Sequence, residues 1–142
     1  MPPAAIVDAG FILAILDKDS SWHKACVAVF SAAPLPLATT EAVLTELFHL
    51  IAARNLNARD AWRFVQSGAL TVRPMSDTDL PSIEALMAQY HDRPMDFADA
   101  TLVRLAARES LSTLLTIDHD DFETYRIGRN KRFTILPRRM AR

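Results

Sequence analysis

The 142-residue sequence is poor in the residues that several kinds of protein depend on: it has one cysteine and three glycines. A single thiol excludes an internal disulfide. Cys26 falls in Ala25-Cys26-Val27-Ala28-Val29-Phe30, an apolar helical face, which predicts a buried filler rather than a nucleophile. The chain has no glycine-rich phosphate loop and no Gly-x-Ser-x-Gly elbow, so neither nucleotide cradling nor serine-hydrolase chemistry is indicated. No apolar run approaches the roughly 20 residues of a membrane helix. The first apolar run lacks a basic leader and is interrupted by Asp8, unlike a signal peptide. A cytoplasmic location, away from any membrane, is expected.

Charge is unevenly spread. No acid follows Glu123, while Arg126, Arg129, Lys131, Arg132, Arg138, Arg139 and Arg142 supply 7 of the 16 basic residues. This basic tail, about residues 126–142, points to a polyanionic partner or simply to a solvated end. The four histidines, His23, His49, His91 and His119, form no i, i+4 pair and have no cysteine nearby, so a zinc site is not indicated. His23 is expected to be structural.

The composition is that of one globular domain, residues 1–142, with 50% hydrophobic and 23% charged residues. Ala4-Ala5-Ile6-Val7-Asp8-Ala9 reads as a strand buried on both faces, feeding a helix over Phe11 to Leu16. Further helices are predicted over Trp22–Ala32, Glu41–Ala53, Ala58–Ser67 (closed by Gly68), Ser76 or Asp77 to Tyr90, and Asp96–Glu109. Strands are predicted over Leu35–Ala38, Leu70–Pro74, Thr113–Ile117 and Phe133–Leu136, with Asp118 to Phe122 ending the fourth. Strands alternating with helices imply a parallel sheet flanked by helices. Trp22, Trp62 and Phe64 fall at helical apolar spacing and are expected to pack rather than to stack on bases.

Four acidic positions occupy the ends of elements. Asp8 ends the first strand and Asp118 the fourth. Asp96 and Asp99 share one face of the first turn of a helix, at i and i+3. A fifth acid, Glu46, interrupts the apolar stripe between Leu44 and Leu47. Each has a plainer role open to it, as a helix-dipole partner, a turn former or a rim residue. Together, acids gathered at one sheet edge would repel unless protons or cations neutralise them, and Mg²⁺ or Mn²⁺ suits an all-oxygen site.

These residues form an ordered set that resembles the PIN domain family, closest to its VapC-like toxins. The set is Ile6-Val7-Asp8-Ala9 with Leu13 to Asp17 and His23, then Thr39-Thr40 with Glu46. Met95-Asp96-Phe97-Ala98-Asp99-Ala100 follows, and Leu115-Thr116-Ile117-Asp118 with Phe122 completes it, spanning about Ile6 to Phe122. The resemblance implies a three-layer α/β/α sandwich around a central parallel sheet. It also implies a Mg²⁺-dependent endoribonuclease (Mn²⁺ as a substitute), with RNA as substrate, a small antitoxin as partner and a homodimeric state. The family's four acidic positions fall on Asp8, Glu46, Asp99 and Asp118 as metal ligands, and Asp96 matches an additional acidic position. Thr116 would support the site, Asp120 and Asp121 are extra acids beside it, and Glu41 competes with Glu46. Arg93, Arg129 and Arg132 would contact phosphates.

Two rival readings have distinct consequences. A PIN-fold RNA-binding or scaffold protein would bind RNA with little or no cleavage. A phospho-accepting receiver domain would need an acidic pair near the first strand and a late lysine. Here Asp8 stands alone, and no lysine lies between Lys24 and Lys131.

Overall fold

The computed structural model describes residues 2–140, so Arg142 of the basic tail lies outside the described residues. Five strands form one parallel sheet in the order β3-β2-β1-β4-β5. They are β1 (Ile6–Val7), β2 (Leu37–Thr39), β3 (Leu70–Val72), β4 (Thr113–Leu115) and β5 (Thr134–Leu136). β1 is central: Ile6 pairs with Ala38 on one side and Leu114 on the other. Ile6, Val7, Ala38 and Leu114 are fully buried, as an apolar strand inside a parallel sheet requires.

Among the described residues seven helices flank the sheet in the three-layer α/β/α arrangement: α1 (Ala9–Leu16), α2 (His23–Ala32), α3 (Glu41–Ala53), α4 (Ala58–Gln66), α5 (Leu80–Gln89), α6 (Phe97–Glu109) and α7 (His119–Thr124). Phe11 and Ile12 of α1, Leu47 and Ile51 of α3, and Leu102 and Leu105 of α6 are almost completely buried. Each such side chain contributes on the order of 2 kcal/mol relative to exposure. Gly10 lets α1 run close under the end of β4, since a Cβ there would lie 3.2 Å from Ile117 Cγ1.

The strands are shorter than the apolar runs suggest. Asp8 still donates its N–H to Leu115 O, but its carboxylate caps the next helix by accepting from Ala9 N, so β1 stops at Val7 and α1 starts two residues before Phe11. The strand expected at Leu35 begins at Leu37, after Pro36. The single helix expected from Ser76 to Tyr90 is a 3-10 turn, Asp77–Asp79, followed by α5 with Pro81 in its first turn. Asp118 to Phe122, read as a turn, belongs largely to α7: Asp118 caps it by accepting from Asp121 N. Much of the basic tail is not a tail. Ile127 and Lys131 form a bridge and β5 completes the sheet edge, where Ile127 is buried and Phe133 packs edge-on against Phe122.

Trp22 stacks on His119 at 5.3 Å and Phe64 on Phe30 at 5.3 Å, as packing residues do. Trp62 lies half-exposed against Phe48. Cys26 is buried. No helix among the described residues is long and apolar enough to cross a membrane.

Candidate active site

From β1 the chain steps outward to β2 and β3, then returns to lay β4 on the other side of β1. The order reverses between β1 and β4, and open parallel sheets place ligands outside the carboxyl ends of the strands at such a point. Asp8 directly follows β1, and Thr116 to Asp118 follow β4. The two ends are tied together: Asp8 N donates to Leu115 O at 3.0 Å, and Thr116 Oγ1 donates to Asp8 Oδ2 at 3.1 Å. The same Thr116 hydroxyl oxygen accepts from Asp118 N at 3.0 Å. Thr116 is fully buried, so one hydroxyl fixes the relative positions of two acids.

Helix capping places the acids. Asp8 caps α1, Asp96 caps α6 by accepting from Asp99 N at 2.8 Å, and Asp118 caps α7. An aspartate at an N-cap satisfies an orphan backbone donor and benefits from the helix dipole. Asp96 therefore precedes the helix rather than lying within its first turn, and Asp99 is the helix's third residue. Glu46 is half-buried on α3, which packs against both α1 and α6.

The site is electrostatically crowded. Carboxylate oxygens of Asp99, Asp118 and Asp121 all lie within 4.8 Å of one another. Burial and the charges of Asp8, Asp96, Glu46 and Asp118 push Asp99 up to about 9. Burial and the charges of Asp8, Asp96 and Asp118 push Glu46 up to about 7. Asp8 rises to about 6: burial outweighs the hydrogen bonds from Ala9 and Thr116 that pull it down. Asp118 is raised by burial and, further, by Asp121 and Asp120. Among the described residues no donor reaches the Asp99 carboxylate, although the residue is buried.

The other residues singled out in the sequence divide clearly. Asp121 joins the acid group, whereas the exposed Asp120 carboxylate pairs with Arg139 at 2.6 Å. Arg93 lies at the edge of the group, donating to Asp121 Oδ1 at 3.0 Å and to Asp120 O at 3.3 Å. Arg129 and Arg132 are exposed on the turn before β5 and make no described hydrogen bond to any site acid. Glu41 is exposed at the start of α3. His119 is buried with its ring nitrogens on Ile117 O and Pro137 O, where it anchors the segment after β5. His23 Nδ1 bonds Ala14 O at 2.8 Å, a structural contact.

Tyr125 is the residue that sequence reasoning passed over. It is fully buried, and among the described residues its hydroxyl has no hydrogen-bond partner. Burial and the charges of Asp99, Asp121, Asp118 and Asp96 push its pKa upward. An apolar-looking Phe122-x-x-Tyr125 spacing after Asp118 was its only signal.

The donor set fits a divalent cation. The candidate ligand atoms are all carboxylate oxygens, and those of Asp99, Asp118 and Asp121 are mutually close. Asp8, Glu46 and Asp99 have no cationic side chain paired with them among the described ion pairs, and Arg93 pairs with the carboxylate of Asp121. Hard divalent ions with oxygen coordination match this chemistry.

Comparison with known proteins gives the family. A Mycobacterium tuberculosis protein, Ribonuclease VapC26, is 28% identical over 134 residues, which cover 93% of this chain and 99% of that protein. Two solved structures share the fold. The Mycobacterium tuberculosis VapC20, a sarcin–ricin loop cleaving toxin, superposes with a TM-score of 0.75 at 19% identity, covering 82% of this chain and 91% of its own. VapBC2 from Rickettsia felis, bound to a DNA fragment from its promoter, gives a TM-score of 0.65 at 14% identity, covering 92% and 97%. The PIN domain model matches residues 5–128, which include every acid of the site, and the chain belongs to the PIN domain family.

Proposed function

We propose that this protein is a divalent-cation-dependent endoribonuclease of the VapC type, the toxin of a toxin–antitoxin pair. One observation carries the reading: buried carboxylates crowd the sheet's switch point without enough positive charge among them to make the crowding tolerable. The likeness to Ribonuclease VapC26 supports RNA as the substrate. The likeness to the VapBC2 complex supports a small antitoxin partner.

Asp99, Asp118 and Asp121 would hold the ion, with Asp8 and Glu46 facing the same charge centre. A bound Mg²⁺, or Mn²⁺ in its place, would supply Lewis acidity there, lowering the pKa of water and neutralising charge on the phosphodiester. Asp8, locked by Thr116 and Ala9, sets the geometry of the β1–β4 edge. Glu46, raised to about 7, is suited to accept and release a proton near neutral pH, and can orient the attacking water. Asp96 keeps α6 aligned and adds a carboxylate at the rim. Arg93 is placed to exchange Asp121 for a substrate phosphate, and Arg129 and Arg132 extend the basic surface toward the rest of the strand. The protein acts in the cytoplasm as a homodimer.

Cleavage of a panel of single-stranded and stem–loop RNAs tests this. The intact protein should cleave in Mg²⁺ and stop in EDTA. Asp8→Asn and Asp99→Asn should lose on the order of a thousandfold in rate, the several kcal/mol that a cation contributes to such a transition state. Cleavage that survives both chelator and substitutions refutes the mechanism. Binding without cleavage across the panel would favour an RNA-binding or scaffold role.

A further inference from the structure

An open groove of about 620 Å³ lies between α3 and the start of α6. Glu41, Thr45 and His49 line it from successive turns of α3, with Glu46 beside them, and Asp96 and Phe97 line it from α6. Ala42 and Ala98 also border it, and their small side chains leave it open. Glu46 and Asp96 belong to the acid group as well, so whatever fills the groove adjoins the reacting phosphate.

Two of these residues serve neither the packing nor the cation. Phe97 opens a helix whose next six residues are buried, yet it leaves 47% of its own surface exposed and joins none of the described aromatic pairs. Glu41, the acid that competes with Glu46 in the sequence, is exposed. Its backbone carbonyl accepts from Thr45 Oγ1 at 3.1 Å, but its carboxylate takes part in no described hydrogen bond or ion pair. A first-turn acid suits the helix dipole, which accounts for Glu41 but not for the bare ring across the groove.

The chemistry of the lining selects an occupant. Glu41, Glu46 and Asp96 offer acceptors, and no lysine or arginine lines the groove among the described residues, so a phosphate is repelled from it. An RNA base is flat and neutral, carries N–H donors on its edge, and in single strands stacks on aromatic side chains. Guanine sets N1–H and N2–H side by side, matching the two oxygens of one carboxylate. We propose that the groove is a base-binding subsite: a guanine adjoining the scissile phosphate stacks on Phe97 and donates N1–H and N2–H to the Glu41 carboxylate. The proposal rests on the ribonuclease reading above and adds a sequence preference to it.

The test starts from a random-sequence single-stranded RNA, cleaved in Mg²⁺ with the cut sites mapped. Guanine should be enriched at one of the two positions flanking the bond. At a mapped site, replacing that guanine by inosine, which lacks the N2 amino group, should lower wild-type kcat/KM about tenfold. Glu41→Ala should cut the two substrates equally well, and Phe97→Leu should lose about tenfold on both. Both side chains are exposed, so each variant should unfold in EDTA close to wild type. Cutting without base preference, or a guanine-to-inosine ratio unchanged in Glu41→Ala, would overturn the proposal. So would a Phe97→Leu variant that keeps full kcat/KM but is monomeric where wild type is dimeric. Phe97 also borders a groove with the exposed Leu80, and that result would give the face to a second copy of the chain. Wild type that cuts no RNA would overturn the ribonuclease reading, and binding then decides the groove separately. By fluorescence anisotropy, oligouridine carrying one guanosine should bind about tenfold more tightly than the same strand carrying one inosine, and equal affinity would overturn the proposal.

Discussion

Asp79 and Asp99 are both buried acids that bear on α6, with 1% and 8% of their surface exposed. Asp79 meets the helix's second half. It accepts from Arg104 Nε at 2.8 Å, Arg108 Nη1 at 2.9 Å and Ser76 N at 2.9 Å. The Ser76 N–H and the two guanidinium groups hold its pKa down at about 2. Asp99 sits at the helix's other end among acids, and burial with their charges drives it to about 9. Both oxygens of one carboxylate accept from N–H donors, while the other has only competing acids around it. Burial by itself therefore does not decide which way a carboxyl's pKa moves. The difference lies in whether the fold itself supplies the positive charge, and at Asp99 it does not.

The largest effect on stability should come from breaking the satisfied side. Asp79→Ala leaves Arg104 without its carboxylate, takes one of Arg108's partners (Glu109 and Pro74 O remain), and removes the cap on the turn before α5. It should cost about 3 kcal/mol in urea unfolding, the lower part of the range for a broken buried pair, because both arginines keep about a quarter of their side-chain surface in water. RNA cleavage per folded molecule should be little changed.

Comparable for a single acid, and opposite in direction at the two ends of α6, is the response to pH without metal. Asp79 stabilises the fold above the ordinary carboxylate range, and that contribution is lost as pH falls through about 2. Asp8, Glu46 and Asp99 behave inversely. The folded form holds protons that the unfolded chain would release, so their contribution is full below about 4 and is lost as pH rises through about 6, 7 and 9. Asp8 alone, shifted from 3.8 to about 6, corresponds to about 3 kcal/mol at most. Metal-free protein should thus be most stable near pH 4–5 and weaken steadily toward pH 9, and Mg²⁺ should restore stability chiefly at the alkaline end. A flat profile between pH 5 and 9 in EDTA would erase the contrast between the two acids.

Much of this arrangement was legible in the residues. The apolar run ending in Asp8 and the run ending at Asp118 announced two strand ends. Glu46 stood out because it broke an apolar stripe, and the motif order from Ile6 to Phe122 matched the family. What did not show was local competition for backbone donors. Asp8, Asp96 and Asp118 were read as ends of strands and first turns, and each is in fact an N-cap, which shortens β1 and creates α7. Asp79 gave no signal, because its partners Arg104 and Arg108 lie 25 and 29 residues away and meet it only through the packing of α5 on α6. Tyr125 was invisible for the same reason. Its character comes from what surrounds its hydroxyl, and no periodicity records that.

The most direct test is the unfolding temperature of Asp99→Asn at pH 9, measured in EDTA and again in Mg²⁺. If the acids form a site that depends on a cation, the neutral amide relieves their repulsion, and the variant unfolds higher than wild type in EDTA yet gains little from Mg²⁺, while wild type gains substantially. A variant that is less stable than wild type in EDTA, with both proteins responding equally to Mg²⁺, would mean that Asp99 is a structural acid like Asp79.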